Sequence, residues 1–153
     1  MIRYRLLGPV EGPADLPGGK PKALLARLLL EPGRVVPADT LVDDLWRDPP
    51  ASAHKVVQVY VSQLRKALGA DAIETRSPGY LVRAGSKESD LGRFEELAEQ
   101  ARGAGEPSRK AALLREALGL WQGPALAEFR DEPFAEAAAR RLSELRLYAL
   151  EER

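Results

Sequence analysis

The stretch Ser52–Leu68, SAHKVVQVYVSQLRKAL, decides the fold of this chain. Its apolar residues recur at helical spacing and form one narrow seam that the rest of a domain can bury. The seam consists of Val57, Val61, Leu64 and Leu68. The opposite face carries two lysines, amides and small residues, and the whole stretch contains no Asp or Glu. The pattern predicts an amphipathic helix that begins after a Ser52 cap and ends at Gly69.

A basic helix face without carboxylates suits the major groove of DNA, because phosphates repel an acid there. Lysines reach phosphates, glutamine and serine hydrogen-bond to base edges, and valine contacts the methyl group of thymine. The residues that we expect to face the groove are Lys55, Gln58, Val59, Ser62, Gln63 and Lys66. A solvated helix that is basic by chance fits this stretch equally well, so the flanking sequence must decide between the two.

The flanking sequence favours DNA binding. An alternating strand is predicted at 2–7 and helices at 21–30 and 40–46, the last one capped by Asp39. After the basic helix, two strand-like pieces at 73–75 and 80–82 flank a Pro-Gly turn, which is typical of a β-hairpin. Helices followed by such a hairpin predict a winged helix-turn-helix, in which Arg76 near the hairpin tip contacts DNA.

The second half of the chain is predicted to be helical. Residues 85–89 are polar and contain Gly85, so we expect a linker there. Three apolar stripes follow, centred on Phe94, Leu114 and Leu142, as in a partial tetratricopeptide-like array. The fold class is therefore mainly α with small β elements, and the expected domains are 1–84 and 90–153. The third stripe lacks a partner helix, so the chain is expected to be a fragment of a longer protein or to oligomerise.

Composition excludes several classes of protein. The chain has 153 residues, no cysteine and one histidine, His54, so thiolate sites and histidine clusters cannot form. We therefore expect no catalytic residues, no metal, no cofactor and no enzyme activity. His54 either contacts a phosphate or remains an exposed residue beside the helix cap. Residues 1–84 carry 12 Lys and Arg against 9 Asp and Glu, and residues 85–153 carry 11 against 14, so the first half is the basic one.

Several motifs resemble a known family. Gln58–Leu68, QVYVSQLRKAL, followed by Gly79-Tyr80-Leu81, is similar to the OmpR/PhoB-type DNA-binding domain. The whole chain resembles the Streptomyces antibiotic regulatory protein (SARP) family of transcriptional activators. The further motifs are KALLA at 22–26, GRVV at 33–36, LVDDLW at 41–46, PPAS at 49–52, EALGLWQGPAL at 116–126 and RLSELR at 141–146. The last two match the family's bacterial transcriptional activator domain.

The resemblance implies an activator that binds direct-repeat promoter sites and recruits RNA polymerase. It implies polymerase contacts from the loop before the basic helix, formed by Arg47, Asp48, Pro49, Pro50 and Ala51, and from residues 90–153, which also support a homodimer on DNA. We expect a cytoplasmic, nucleoid-associated protein without membrane contact. The alternative is a protein-interaction scaffold, in which helical repeats accompany a winged helix that binds no DNA.

Overall fold

The computed structural model describes all residues from 1 to 153. They form six α-helices, one three-stranded sheet and two short 3-10 turns at Ser86–Glu88 and Ala127–Phe129. The first half contains, in chain order, α1 (Lys20–Leu29), β1 (Val36–Pro37), α2 (Ala38–Leu45), α3 (Ala53–Leu68), β2 (Ile73–Arg76) and β3 (Gly79–Val82). The second half contains α4 (Asp90–Gly103), α5 (Pro107–Leu118) and α6 (Ala135–Glu152). The predicted fold class, a winged helix-turn-helix followed by a helical part, is confirmed.

Helix α1 lies at the centre of the first half. Pro21 stands in its first turn, where the fixed φ of proline favours a helix start. The helix contacts α2, α3 and β3. Its buried apolar residues point in almost every direction: Ala23, Leu24, Leu25, Ala26, Leu28 and Leu29. Because neighbours surround α1, a helix that is apolar on nearly all sides is stable at this position.

The small sheet forms the wing. Its strand order is β1-β3-β2, and both pairings are antiparallel. Tyr80 of β3 pairs with Val36 on one side and with Thr75 on the other. Gly79 allows β1 to approach, because a Cβ atom at this position would collide with the carbonyl oxygen of Val36. The predicted hairpin is thus present, and it gains a third strand from the segment before α2.

The prediction of a strand at residues 2–7 is wrong. Only two isolated bridges occur there, from Tyr4 to Ser89 and from Arg5 to Glu11. The amides of Arg3 and Tyr4 donate to the carbonyl oxygen of Glu88 instead of to a neighbouring strand. Alternation of apolar and basic residues indicates which side chains are buried, but apart from the local bridge of Arg5 with Glu11 this backbone bonds to residues more than 80 positions away.

Two predicted caps also differ. Asp39 was expected to cap α2, but that helix begins two residues earlier than predicted, with Pro37 at the cap position and Asp39 in the first turn. The Asp39 carboxylate instead pairs with His54 at the start of α3. Ser52 does stand at the cap position of α3, but its hydroxyl accepts no hydrogen bond from the helix. Helix α2 ends at Leu45, so Trp46 lies in extended backbone.

The segment expected to be a linker carries ordered contacts. Residues Ser86–Glu88 form a 3-10 turn, and the buried Ser89 caps α4 by accepting a 2.9 Å hydrogen bond from the amide of Gly92. The buried carboxylate of Asp90 accepts hydrogen bonds from the amides of Leu6, at 2.7 Å, and Leu7, at 3.0 Å. Burial raises the pKa of Asp90, although these amide donors oppose the increase. The division into domains 1–84 and 90–153 stays a prediction.

The second half packs against the first through one apolar core. A single cluster of 36 buried residues extends from Tyr4 to Ala149 and includes residues of both halves. Helices α4 and α5 form a pair, and α6 packs on α5 with Leu142 and Ala149 buried. Three large apolar residues of α6 remain exposed: Leu147, Tyr148 and Leu150.

The connection between α5 and α6 adds polar contacts to this shared core. The amide of Gln122 donates to the Leu7 carbonyl oxygen at 2.7 Å, and the amide of Val10 donates to Oε1 of Glu128 at 2.6 Å. Nζ of Lys20 in α1 lies 2.8 Å from Oε2 of Glu132. This connection therefore fixes the helical half on the N-terminal segment and on α1.

Asp90→Ala is expected to lower the free energy of unfolding by about 2–3 kcal/mol, because two buried backbone amides lose their acceptor. Asp90→Asn should cost less, about 1–2 kcal/mol, since one amide keeps an acceptor oxygen and the burial penalty of a charge is removed, while the other amide meets an NH2 donor. Urea unfolding followed by circular dichroism measures both values. Asp71→Ala, at an exposed acid without an ion pair, is the matched control, and a cost equal to that of Asp90→Ala would contradict the role assigned to Asp90.

Candidate DNA interface

Helix α3 divides into a buried face and an exposed face. Ala53, Val57, Val61 and Leu64 are buried against the first half, which fixes the orientation of the helix. The opposite face exposes all six residues predicted for the DNA groove: Lys55, Gln58, Val59, Ser62, Gln63 and Lys66. Val59 is 52% exposed, although it is unfavourable to leave an apolar side chain in contact with water. We refer to these six residues as the groove face.

The side chains of the groove face make no hydrogen bond or ion pair within the chain. None of its side chains donates or accepts a hydrogen bond, and neither Lys55 nor Lys66 forms an ion pair. Helix α3 also contains no acidic residue. The face therefore presents two uncompensated positive charges together with amide and hydroxyl groups that can bind a ligand without first breaking internal bonds.

Arg65 lies beside the groove face but has a different role. Its Nε and Nη2 atoms donate to the carbonyl oxygen of Ile73 at 2.9 and 2.8 Å, and Nη2 also donates to Oγ1 of Thr75 at 2.9 Å. All three bonds join α3 to β2. The guanidinium therefore fixes the wing relative to α3 and is not free to reach a ligand.

The wing carries Arg76 at the end of β2, where it is 59% exposed. Its guanidinium forms an ion pair with Glu74, and Glu74 also binds Arg83. The wing turn contacts the start of α2, because the amide of Ala38 donates to the carbonyl oxygen of Pro78 at 3.1 Å. Of the seven predicted contact residues, Arg76 is thus the only one with an internal partner.

The loop of residues 47–51 is exposed along its whole length. It begins at Trp46, whose ring stacks on Tyr60 of α3 with centroids 6.1 Å apart. Nζ of Lys20 lies 5.4 Å from the centroid of the Trp46 ring. Burial, together with the negative charge of Glu132, raises the pKa of Tyr60. A packed aromatic base therefore holds the loop next to α3.

Two of these features were absent from the sequence prediction. The stacked pair of Trp46 and Tyr60 was missed, since a helix wheel shows which face is buried but not which ring it meets. The contact between His54 and Asp39, with Nε2 and Oδ1 2.6 Å apart, was missed because the two residues belong to different helices. No cluster of acidic and histidine side chains in the chain could hold a metal ion.

Known proteins are similar to this chain. Residues 18–82 match the family model described as transcriptional regulatory protein, C terminal, and residues 89–153 match that of the bacterial transcriptional activator domain. Regulatory protein AfsR of Streptomyces griseus is 40% identical over 161 residues, which cover 99% of this chain. Regulatory protein DnrI of Streptomyces peucetius is 36% identical and also aligns with 99% of this chain.

The chain belongs to the Streptomyces antibiotic regulatory protein family. Both relatives are named as regulatory proteins, which agrees with the sequence prediction of a transcriptional regulator. The solved structure of Mycobacterium tuberculosis EmbR in complex with a low-affinity phosphopeptide matches 97% of this chain, with 32% identity and a TM-score of 0.88. The chain spans 16% of AfsR, 63% of DnrI and 43% of the EmbR chain.

No helix of this SARP-family chain combines the length and the apolar composition that would be needed to cross a bilayer. The longest helix, α6, contains charged residues on successive turns, among them Arg140, Arg141 and Glu144.

Arg65→Met is expected to lower the free energy of unfolding by about 1–2 kcal/mol, because the hydrogen bonds from a charged donor to β2 are lost. Lys66→Met makes the same type of change at the next residue of α3, on the groove face, and should change the value by less than about 0.5 kcal/mol. Urea unfolding of the two variants measures the difference. Equal effects would show that Arg65 does not join α3 to the wing.

Proposed function

We propose that the chain is a sequence-specific DNA-binding transcriptional activator in which α3 is the recognition helix. The observation that carries the proposal is the groove face, which is exposed, free of acids and without internal partners. A helix of this kind, placed after a second helix and before a wing, fits the major groove. Membership of a family of transcriptional regulators supports the same function.

The six groove-face residues take different parts in this proposal. Lys55 and Lys66 bind phosphates near the two ends of α3 and thereby fix its position along the groove. Gln58, Ser62 and Gln63 hydrogen-bond to base edges, where an amide side chain can pair with adenine. Val59 contacts a thymine methyl group, which recovers the apolar burial that its exposed position lacks in the free protein.

Arg76 contacts the neighbouring minor groove or the DNA backbone from the wing. Arg76 must leave Glu74 in order to reach DNA, and Glu74 then keeps Arg83 as its partner. The carboxylate is therefore not left unpaired, so the release of Arg76 costs little. An exposed ion pair contributes at most about 1 kcal/mol, which a charge-assisted bond to phosphate can replace.

The surplus of only three cations over acids in residues 1–84 predicts weak binding by a single copy. Two copies on a direct repeat bind more tightly, because the first contact raises the effective concentration of the second copy. We therefore propose direct-repeat promoter sites and a homodimer on DNA, with residues 1–84 as the DNA-binding domain, 85–89 as its junction and 90–153 as the activator domain. A protein with this role works in the cytoplasm at the nucleoid.

RNA polymerase is the proposed protein partner, contacted by Arg47, Asp48, Pro49, Pro50 and Ala51. All five are exposed, and the loop stands on the stacked rings of Trp46 and Tyr60 next to the recognition helix. Two prolines restrict its backbone, so the loop loses little conformational entropy on binding. Its position beside α3 would bring polymerase close to the bound promoter.

Selection from a random pool of DNA duplexes tests the function, with the wild type and with Lys55→Glu combined with Lys66→Glu. The wild type should enrich a direct repeat, and its affinity should fall with salt at a log–log slope of about −5 if about six phosphates are contacted. The double variant should bind the selected site about 100-fold more weakly, with a slope of about −3.5, because two contacts are lost and two repulsions are added.

The matched control for that experiment is Arg109→Glu combined with Arg115→Glu, which reverses two exposed charges on α5. It should retain the wild-type site, affinity and salt slope. Equal loss of affinity in both double variants would show that the effect comes from the net charge of the protein and not from the groove face. An absence of DNA binding by the wild type would favour the alternative, a protein-interaction scaffold with a winged helix that binds no DNA.

Arg47→Ala combined with Asp48→Ala is expected to separate DNA binding from activation. Neither residue belongs to the groove face, so affinity for the selected site should remain within about twofold of the wild type. Transcription from a template carrying that site, measured with purified polymerase, should fall at least fivefold. Ala70→Ser, at an exposed position in the loop on the other side of α3, should leave both measurements unchanged. Full activation by the double variant would exclude polymerase contact through these two side chains.

A further inference from the structure

The first turn of α3 carries a histidine that pairs with an acid of α2. Nε2 of His54 lies 2.6 Å from Oδ1 of Asp39. Both side chains are exposed, His54 by 58% and Asp39 by 89%. The pair therefore forms on the surface of the molecule, where an approaching ligand meets both residues. His54 is the only histidine of the chain.

The pair belongs to segments that adjoin the wing turn and the groove face. Asp39 belongs to the first turn of α2, and the amide of the preceding Ala38 is bonded to the wing turn at Pro78. His54 directly precedes Lys55, the first residue of the groove face. A DNA duplex that contacts both the wing and α3 therefore passes close to Asp39 and His54.

An acid at this position opposes DNA binding unless its charge is compensated, since phosphates repel a carboxylate. The only basic side chain in contact with Asp39 is His54. The charged residues that follow the pair within one helical turn in the sequence are Asp43 on α2 and Lys55 on α3, and neither forms an ion pair. On the wing, Arg76 is already paired with Glu74. With a neutral imidazole the pair carries one negative charge, and with an imidazolium it carries none.

We propose that the Asp39–His54 pair couples DNA binding to the uptake of a proton by His54, so that the pair is neutral where it faces the phosphates. The inference rests on the proposed DNA binding by α3 and the wing. Nearby phosphates favour the charged form of an imidazole, and histidine is the side chain that changes its charge near neutral pH. DNA affinity therefore rises as the pH falls through neutrality and declines as the pH rises.

The test measures the dissociation constant of the full chain for its selected DNA site from pH 6.0 to 8.5 at constant ionic strength. If bound DNA favours the imidazolium about tenfold, affinity at pH 6.0 should be about five- to tenfold higher than at pH 8.5. Calorimetry in buffers of different ionisation enthalpy should detect the uptake of about half a proton near pH 7. In His54→Gln the affinity should not depend on pH in this range, and no proton should be taken up.

Two acid variants separate the pair from the general charge of α2. Asp39→Asn should bind about two- to threefold more tightly than the wild type at pH 8.5, because the uncompensated carboxylate is gone. Asp43→Asn removes an exposed acid one turn away and should keep the pH dependence of the wild type. Circular dichroism checks that each variant is folded.

Two results would overturn the inference: a wild-type affinity that is constant from pH 6.0 to 8.5, and a His54→Gln variant that retains the pH dependence. Weaker binding by Asp39→Asn at pH 8.5 would overturn it as well, because Asp39 would then support the interface instead of opposing it. An absence of specific binding at every pH would instead contradict the proposed function. The failure of one proposal is therefore distinguishable from the failure of the other.

Discussion

The carboxylate of Asp90 accepts hydrogen bonds from two consecutive amides of the N-terminal segment, and the arrangement of the two halves depends on this interaction. Leu6 and Leu7 are fully buried, so their amides have no access to water and need a protein acceptor. Asp90 lies in the first turn of α4, where the helix dipole stabilises a negative charge. Asp90 thus supplies the acceptors that the buried amides of the N-terminal segment need, and it also lies at the start of the helical half.

The segment that connects α5 and α6 adds further contacts to the same N-terminal segment. With Leu6 and Leu7 in place, the carbonyl oxygen of Leu7 accepts from Gln122, and Glu128 reaches the amide of Val10. Glu132 then meets Lys20, which also contacts Trp46 beneath the exposed loop. The helical half and the recognition half therefore share a continuous set of packed groups, and the aromatic base of the loop lies within it.

Much of α3 and the wing could be predicted from the sequence because both follow local rules. The period of Val57, Val61 and Leu64 identifies the buried face, so the exposed groove face follows from it by geometry. The N-terminal segment could not be predicted, since Arg3 and Tyr4 bond to Glu88 across more than 80 residues and no local pattern encodes that distance. The partner of His54 could not be predicted from the sequence either. Asp39 is of a residue type that often caps a helix, whereas its contact with His54 depends on how α2 packs against α3.

The two tryptophans of the chain lie in different halves and in different surroundings. Trp46 is half-buried and stacks on Tyr60 at the base of the loop. Trp121 is buried, with Phe94 edge-on at 5.7 Å between centroids and the guanidinium of Arg146 at 5.0 Å from the ring centroid. A nearby cation and an aromatic edge change the emission of an indole in a different way from a stacked phenol. The chain thus contains one natural fluorophore in each half, and their spectra can distinguish a movement of the loop from a loosening of the helical core.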